Sequence, residues 1–369
     1  MTPETIEAHG VRLRPFRLDD VADVVVGCAD PLTQRFLDAL PSPYTEADAR
    51  RWVTEGAPAA FAAGGAAYAV ADPATDRLLG AVGLSHPVPQ RRQAEIGYWV
   101  LPGARGRGVA TAATRALVEH AFASGTDRVE LLAQIENVAS QRVAVATGFR
   151  PEGTRRAGGL APGGSRRDLA VWVRLADDPP GPYPRPLPDL PGGRLTDGVV
   201  VLRRLEPEDT DEMYRLNTSP DVVASRVPPG PPTREEIARR GHTAAHQWLV
   251  GTVAAMTILD ATSGAVAGAC MLLHDQPAGQ GMLGYSLFPQ SRGRGYATRT
   301  VRLLARWGFE HVGLARLWAG TLPENLASRR VLERTGFRYE GLLRARLPGA
   351  QGRRGDSTVY GLLPGELLD

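Results

Sequence analysis

The sequence has 369 residues, of which 43% are hydrophobic and 22% are charged, and its formal net charge is only +3. This length exceeds the usual size of one hydrophobic core, so it predicts two domains of ordinary size. No apolar run approaches the roughly 20 residues that span a bilayer, which argues against a membrane protein. The first ten residues lack the pattern of a secretory signal, and Cys28 and Cys270 lie in different halves. We therefore expect a cytoplasmic protein with free thiols, no membrane partner and no bound metal.

Every one of the 43 basic residues is arginine, because the sequence contains no lysine. A Walker-type phosphate loop, a Schiff-base lysine and a lysine general base are therefore excluded. The arginines are spread through both halves and balanced locally by acids. The charge pattern accordingly does not predict a nucleic-acid partner.

The two halves of the sequence repeat one another at a nearly constant offset. Residues 105–110, Arg-Gly-Arg-Gly-Val-Ala, return 187 residues later at 292–297 as Arg-Gly-Arg-Gly-Tyr-Ala. The Gly-Tyr pair at 97–98 returns at the same offset, and Asn-x-x-Ser at 137–140 returns 188 residues later. A repeat of this length predicts one fold present twice in tandem.

A proline-rich segment separates the halves. Seven prolines fall between Pro179 and Pro191, and such a stretch neither continues a helix nor donates hydrogen bonds to a sheet. We predict an N-terminal domain at residues 1–176, a semi-rigid linker at 177–194 and a C-terminal domain at 195–369.

In each half, strands and helices are predicted around the arginine–glycine segment. Residues 95–100 alternate in character and predict a half-buried strand. Apolar residues at helical spacing follow, so a helix is expected directly after the glycine-rich turn. Residues 129–135 predict the next strand, and residues 137–147 predict a helix that Asn137 caps and Gly148 ends.

The segment Arg-x-x-Gly-x-Ala between a strand and a helix favours phosphate binding. Glycine lets the backbone approach a bulky anion, and the N–H groups of a helix N-terminus coordinate phosphate oxygens. Alternatives are a plain turn or an RNA-binding Arg-Gly segment. A dinucleotide fingerprint is excluded, because Thr111 and Thr298 stand where that motif needs a third Gly or Ala.

Further motifs surround the loop in both halves. They are a Leu-Arg pair followed by two acids near the start, Asp30-Pro31 and Pro220-Asp221, and Asn-x-x-Ser leading to Gly-Phe at 148–149 and 336–337. With these motifs, each half resembles the GCN5-related N-acetyltransferase (GNAT) superfamily, in particular its RimJ/RimL-like branch. The resemblance covers both halves and omits only the linker and the termini.

The resemblance implies a mixed α/β fold in two tandem copies, each a mostly antiparallel twisted sheet flanked by helices. It implies that a bulge in the strand before the loop splays the fourth strand from the fifth, which opens a cleft for the pantetheine of an acyl-coenzyme A. The co-substrate implied is acetyl-CoA or another acyl-CoA. Backbone groups at 100–101 and 287–288 would contact the pantetheine and polarise the thioester carbonyl. The implied coenzyme-binding residues are Val100, Leu101, Arg105, Gly106, Arg107, Gly108, Val109, Ala110 and Asn137 in the first half, and Leu287, Phe288, Arg292, Gly293, Arg294, Gly295, Tyr296, Ala297 and Asn325 in the second.

The resemblance also implies catalytic roles. Glu95 occupies the position of a carboxylate that helps deprotonate the attacking amine, whereas the second half has Met282 there. Ser140 and Ser328 would lie near the thiolate leaving group; a purely structural role for the Asn-x-x-Ser motif, as a helix cap, stays open. Many relatives carry a general-acid tyrosine seven residues after the Asn, but Ala144 and Leu332 stand there. The general acid is therefore unassigned.

The predicted activity is transfer of an acyl group, most simply acetyl, to a primary amine. The acceptor is either a peptide or protein N-terminus or a small amino compound. The alternatives are an acyl-CoA-binding sensor without turnover and an enzyme with only one active lobe. The protein is expected to be a monomer with pseudo-dimeric lobes or a homodimer.

Overall fold

The computed structural model describes residues 3–161, 164–227, 230–275, 278–349 and 352–369. The chain divides into two compact units, Met1–Pro184 and Arg185–Asp369. Within the described ranges, every helix is too short or too polar to cross a bilayer.

The first unit packs its helices against one eight-stranded sheet. Its strands are β1 (Ile6–Ala8), β2 (Val11–Arg14), β3 (Ala66–Ala71), β4 (Leu78–Val88), β5 (Gln93–Val100), β6 (Arg128–Gln134), β7 (Arg150–Leu160) and β8 (Arg166–Leu175). Its helices are α1 (Val21–Ala29), α2 (Pro31–Phe36), α3 (Glu46–Arg51), α4 (Ala57–Ala62), α5 (Val109–Ala123) and α6 (Val138–Ala146).

The second unit repeats this arrangement. Its strands are β9 (Arg194–Thr196), β10 (Val200–Arg204), β11 (Val253–Asp260), β12 (Val266–Asp275), β13 (Gln280–Leu287), β14 (Arg316–Thr321), β15 (Arg338–Pro348) and β16 (Arg354–Leu362). Its helices are α7 (Thr210–Thr218), α8 (Pro220–Ser225), α9 (Arg234–Leu249), α10 (Tyr296–Glu310) and α11 (Leu326–Arg334).

Each sheet is antiparallel except at one position in its middle. The order in the first unit is β1-β2-β3-β4-β5-β6-β8-β7, and the second unit has the equivalent order. Strands β5 and β6 run parallel and pair only from Gln93–Arg128 to Glu95–Glu130. Strands β13 and β14 likewise pair only from Gln280–Arg316 to Met282–Trp318. The remainder of each pair diverges, and this splay opens the cleft described below.

The structure confirms the predicted fold class and the predicted elements around the loop. The splay predicted between the fourth and fifth strands lies between β5 and β6. The strand numbers differ by one because the short strand β1 precedes the strands that were counted. Predicted strand 129–135 is β6, and predicted helix 137–147 is α6, with the Asn137 side chain accepting a hydrogen bond from the N–H of Ser140. Helix α5 buries Ala113, Leu117 and Val118, as its spacing predicts.

The bulge expected in the strand before the loop lies elsewhere. In the first unit, β5 keeps a continuous register with β4 from Glu95 to Val100, and the irregularity falls on β4 between Ser85 and Val88. In the second unit, the register of β12 with β13 is continuous along the whole pairing. The splay therefore arises from the short parallel pairing with the next strand.

The proline-rich segment is divided between the two units at Pro184 and Arg185. The N–H of Tyr183 donates to the carbonyl of Val145 at 2.8 Å in the first unit. In the second unit, Leu187 and Leu190 are buried in the main core. The indole N–H of Trp248 donates to the carbonyl of Pro188 at 2.9 Å, which fastens the segment to α9. Part of the predicted linker thus belongs to the second core.

Candidate active sites

A cleft of about 1030 Å³ lies where β5 and β6 separate in the first unit. It extends from the glycine-rich loop past the start of α6 to α2 and the strand β7. Most of the predicted site residues of this half line it: Glu95, Val100, Arg105, Gly106, Gly108, Val109, Ala110, Asn137 and Ser140. Leu101 and Arg107 are outside the described lining.

The equivalent cleft of the second unit is smaller, at about 690 Å³. The predicted residues that line it are Leu287, Arg292, Gly293, Gly295, Tyr296, Ala297, Asn325 and Ser328. Phe288 is instead buried in a small core with Met213 and Ile237. Arg294 does not line the cleft as described.

The glycine-rich loops have the conformation that the sequence predicts. Gly106 and Gly108 have φ values of +71° and +79°, and Gly293 and Gly295 have +70° and +78°. A Cβ at any of the four would meet no atom within 4 Å, so open space surrounds the loop. Helices α5 and α10 begin directly after Gly108 and Gly295, which have no side chain to cap them. The first-turn N–H groups are thus available to an anion.

The first arginine of each loop has a structural role that the sequence analysis did not predict. The Arg105 guanidinium donates to Asp30 at 2.5 Å and to Thr33 at 3.0 Å, and its Nε donates to the carbonyl of Val100 at 3.2 Å. Arg292 makes the same contacts with Asp221 and the carbonyl of Leu287. These arginines fasten the loop to α2 and α8, so their charge is already paired.

The second arginine of each loop is not among the residues that line the cleft. Arg107 is exposed. Arg294 donates to Asp260 at 3.2 Å and lies 4.6 Å over the ring of Tyr296, whose hydroxyl also donates to Asp260. The loop of the second unit is therefore held by an arginine–tyrosine–aspartate cluster for which the first unit has no equivalent tyrosine.

The backbone N–H groups of Val100 and Leu287 are directed into the gap between the splayed strands, whereas those of the next residues are used within the sheet. The N–H of Leu101 donates to the carbonyl of Leu79 at 2.9 Å, and that of Phe288 to the carbonyl of Ala267 at 3.0 Å. Bonded and non-bonded pairs alternate along antiparallel strands, so the preceding N–H groups, those of Val100 and Leu287, point away from β4 and β12. Leu101 and Phe288 therefore cannot donate to a thioester carbonyl, whereas Val100 and Leu287 can.

The Asn-x-x-Ser motifs are helix caps that also border the clefts. The side-chain oxygen of Asn137 accepts from the N–H of Ser140 at 3.2 Å, and Asn325 accepts from Ser328 at 3.1 Å. Each serine hydroxyl is hydrogen-bonded to a tyrosine hydroxyl from the splayed strand, Tyr98 at 2.8 Å and Tyr285 at 2.9 Å. The motif is thus both a cap and part of a hydroxyl pair at the cleft.

Glu95 lies in the first cleft in an environment that favours its neutral form. Burial raises its pKa, and His86, whose Nδ1 lies 3.8 Å from Oε2, opposes this. The charge of Arg155 also lowers the Glu95 pKa, whereas that of Glu130, at the paired position on β6, raises it. Arg155 donates to Glu130 at 2.6 Å. A carboxyl group with a raised pKa is suited to accept a proton near neutral pH.

The second cleft has no carboxylate at this place. Met282 and Trp318 occupy the register positions of Glu95 and Glu130. The two units thus share the loop, the inward N–H and the hydroxyl pair, and differ in the group suited to deprotonate an amine.

Comparison with known families identifies the family to which both units belong. Residues 11–150 and 200–338 match the acetyltransferase (GNAT) domain. The chain belongs to the GNAT family. Because each match lies within one unit, the protein consists of two GNAT units in tandem, as the sequence resemblance predicts.

Curated relatives agree with this assignment. A stretch of 62 residues is 44% identical to the probable N-acetyltransferase YjcK of Bacillus subtilis (strain 168), covering 17% of this chain and 34% of YjcK. Over 169 residues the chain is 31% identical to the uncharacterized N-acetyltransferase p20 of Bacillus licheniformis, covering 45% of this chain and 94% of p20. Over 79 residues it is 34% identical to the ribosomal-protein-serine acetyltransferase of Escherichia coli (strain K12), covering 21% of this chain and 44% of that enzyme.

Four residues near the clefts of the GNAT units were not predicted from the sequence to be site residues. Tyr98 and Tyr285 contact the serines, and Asp30 and Asp221 hold the loop arginines. All four recur in the internal repeat, and that recurrence was the signal available in the sequence. Their roles depend on side-chain contacts between elements about 40 to 75 residues apart, which spacing alone does not reveal.

Proposed function

We propose that the first GNAT unit transfers an acyl group, acetyl in the simplest case, from acyl-CoA to a primary amine, and that the second unit binds acyl-CoA. The observation that carries this proposal is the composition of the first cleft. A glycine-rich loop at a helix N-terminus, an inward N–H at Val100 and the half-buried carboxyl group of Glu95 all border one continuous space.

The loop fits the pyrophosphate of coenzyme A. Open space around Gly106 and Gly108 lets an anion approach the backbone, and the first turn of α5 supplies N–H donors and the positive end of the helix dipole. Because Arg105 is paired with Asp30, the binding energy comes mainly from backbone groups. In this proposal the N–H of Val100 donates to the thioester carbonyl, where negative charge develops as the amine attacks.

Acceptor and donor meet through the gap between β5 and β6. Side chains alternate along a strand, so Glu95 and Tyr98 project from opposite faces of β5. The amine attacks the thioester carbon from the Glu95 side, a C–N bond forms, and the C–S bond breaks with its electron pair remaining on sulfur. Glu95 takes the proton that the amine nitrogen loses, directly or through one water. A free α-amino group with a pKa of about 8 needs only a modest base.

A peptide or protein N-terminus is the acceptor class that we propose. The acceptor end of the cleft is lined by Leu32, Phe36, Leu37 and Leu169 together with the carboxylate of Asp38, which gives room for an apolar side chain beside the reacting amine. The E. coli relative is named for acetylation of a ribosomal protein, and this supports the same class of acceptor. A small amino compound is the alternative outcome of the test.

The second unit supports binding better than transfer. It keeps the loop geometry, the inward N–H of Leu287 and the Tyr285–Ser328 pair. Met282 provides no group that accepts a proton.

The test is product formation from acetyl-CoA and a panel of peptides and small amines, followed by mass spectrometry. We expect acetylated peptide from the wild-type chain, a loss of about 10²-fold or more in kcat for Glu95→Gln, and little change for the matched variant Met282→Gln. Retention of CoA by the chain without product from any amine would show a binding protein instead. Equal losses for the two variants would place catalysis in both units.

A further inference from the structure

The tyrosine of the Gly-Tyr pair has no role in the transfer described so far. Tyr98 projects from β5 and reaches the first turn of α6, where its hydroxyl lies 2.8 Å from the Ser140 hydroxyl and 3.2 Å from the Ser140 carbonyl. Tyr285 repeats this in the second unit, with 2.9 Å and 3.3 Å to the same two atoms of Ser328. All four residues line the clefts.

We propose that Tyr98 positions the Ser140 hydroxyl to donate a hydrogen bond to the departing sulfur of coenzyme A, and that Tyr285 positions Ser328 in the same way. Tyr98 is thus a positioning residue, and Ser140 is the group that touches the sulfur. This inference rests on the proposed binding of coenzyme A in the two clefts.

The direction of the hydrogen bond follows from the chemistry of the two hydroxyls. The single phenolic proton of Tyr98 can go to the Ser140 Oγ at 2.8 Å or to the Ser140 carbonyl at 3.2 Å. A phenol with a pKa of about 10 is a stronger donor than an aliphatic alcohol, and Oγ is the nearer atom, so Tyr98 donates and the Ser140 Oγ accepts. The backbone N–H of Ser140 is already used by Asn137. In the first turn of a helix, a serine hydroxyl otherwise turns back to a local backbone group. With its oxygen held by Tyr98, the Ser140 proton is free to point into the cleft.

Each tyrosine acts through its hydrogen bond to the serine hydroxyl and keeps its own phenolic proton. Burial raises the pKa of Tyr98 above its usual value, and it raises that of Tyr285 to about 12. A phenolate is therefore disfavoured at both sites. A thiol has a pKa of about 8.5, so the sulfur leaves as a thiolate that the serine stabilises and that water later protonates. The electron pair of the C–S bond stays on sulfur, and Tyr98 and Ser140 keep their protons.

The direct readout is the thiol pKa of bound coenzyme A, measured from the ultraviolet absorbance of the thiolate as the pH is raised. Gly295→Asp, which places a carboxylate in the second loop, serves as the background that restricts the signal to the first cleft. We expect bound CoA to have a lower thiol pKa than free CoA. Tyr98→Phe and Ser140→Ala should each raise it by about one unit, a tenfold change in the thiolate equilibrium.

Steady-state kinetics give the second readout. Each substitution should lower kcat about tenfold and leave the KM for acetyl-CoA nearly unchanged, and the double variant should be no worse than Ser140→Ala alone, because the two residues act as a unit. The thiol measurement on Tyr285→Phe, in a Gly108→Asp background, repeats the test if Tyr98→Phe does not fold.

The outcomes separate this inference from the function on which it rests. If CoA does not bind, the proposed function fails. If CoA binds and is turned over but its thiol pKa is the same with and without the tyrosine hydroxyl, the positioning role of Tyr98 is overturned and the tyrosine serves only to join β5 to α6.

Discussion

Glu95 shows how one residue separates two otherwise similar clefts. Its carboxyl group is partly buried beside Glu130, so the folded chain holds it with a raised pKa. A raised carboxyl pKa means that this residue contributes stability below its unfolded pKa and loses that contribution as the pH rises through the folded value. The residue is therefore kept at a cost to stability at neutral pH, which is common at active sites.

His86 is predicted to set the pH dependence of transfer. Its charge opposes the raised pKa of Glu95, so His86→Asn should raise that pKa further; asparagine is chosen because it tolerates the positive φ of 48° at this position. The rate increases as Glu95 loses its proton, so the acid limb of the profile of kcat/KM against pH should move to higher pH. His274→Asn, at the equivalent place in the second unit, is the control. An unchanged acid limb in the His86 variant would mean that Glu95 is not the group that titrates.

At the scale of the elements, the strand before each loop depends on a close approach of its neighbour. A Cβ at Gly80 on β4 would lie 2.3 Å from the carbonyl oxygen of Trp99, and one at Gly268 on β12 would lie 2.1 Å from that of Ser286. These glycines face the end of the strand that carries the inward N–H. At Gly80 and Gly268, the neighbouring strand is therefore too close to leave room for a side chain.

Gly80→Ala is predicted to destabilise the first unit by about 1–3 kcal/mol, because the added methyl group must push β5 aside. Gly97→Ala on β5 is the matched control, since a Cβ there meets no atom within 4 Å. This control should be neutral or slightly stabilising, because alanine reduces the freedom of the unfolded chain. Calorimetric melting of both variants checks the prediction, and equal melting temperatures would show that the strands separate without cost.

The ion pair between Asp30 and Arg105 joins α2 to the phosphate loop. The Arg105 guanidinium lowers the pKa of Asp30, so the pair stabilises the fold above the unfolded pKa of the carboxyl group and loses this effect as the pH falls through the lowered value. Asp30 also caps α2 by accepting from the N–H of Thr33 at 3.0 Å. Asparagine at this position keeps the cap and removes the charge.

Asp30→Asn should therefore lower the free energy of unfolding by roughly 0.5–1 kcal/mol at neutral pH, because the pair is partly exposed, and the difference should vanish in acid. Affinity for CoA in the first unit should fall several-fold, since Arg105 no longer holds the loop. Urea unfolding at two pH values and calorimetric CoA titration measure these effects. A stability difference that persists in acid would assign the effect to the cap.

The elements near the loop were predictable because local patterns determine them. Strand alternation, the Asn cap at 137 and the glycines with positive φ each depend on a few neighbouring residues. The paired charge of Arg105, the Tyr98–Ser140 contact and the packing of Leu187 were not predictable, because each depends on distant residues brought together by the fold. The sequence also could not show that the N–H of Leu101 is unavailable to a thioester, because its partner, the carbonyl of Leu79, lies on the neighbouring strand.

In the whole molecule, the two units share the features proposed to bind acyl-CoA but differ in the carboxylate proposed to accept the proton. The loops, the inward N–H groups and the hydroxyl pairs are shared, and these are the parts that we propose to hold coenzyme A and its sulfur. The carboxylate is present only in the first unit, whose cleft is also the larger, at about 1030 Å³ against about 690 Å³. We therefore expect two CoA molecules bound per chain and one catalytic centre.

The stoichiometry of CoA binding tests the first half of this expectation. Calorimetric titration should give two sites in the wild-type chain and one in either Gly108→Asp or Gly295→Asp, because a carboxylate in the loop repels the pyrophosphate. The uncharged variants Gly108→Ala and Gly295→Ala should keep both sites at some cost in stability from the positive φ, since a Cβ there meets no atom within 4 Å and alanine adds neither a charge nor a helix cap. A single site in the wild-type chain would contradict a binding role for the second unit.

The most direct test of the account is the amine-dependent release of free thiol from acetyl-CoA by the full chain carrying one loop substitution at a time. With a peptide acceptor, Gly108→Asp should abolish release, Gly108→Ala should retain most of it, and Gly295→Asp should leave turnover at the first cleft intact. Loss of release in Gly295→Asp with full activity in Gly108→Asp would contradict the assignment of catalysis to the first unit.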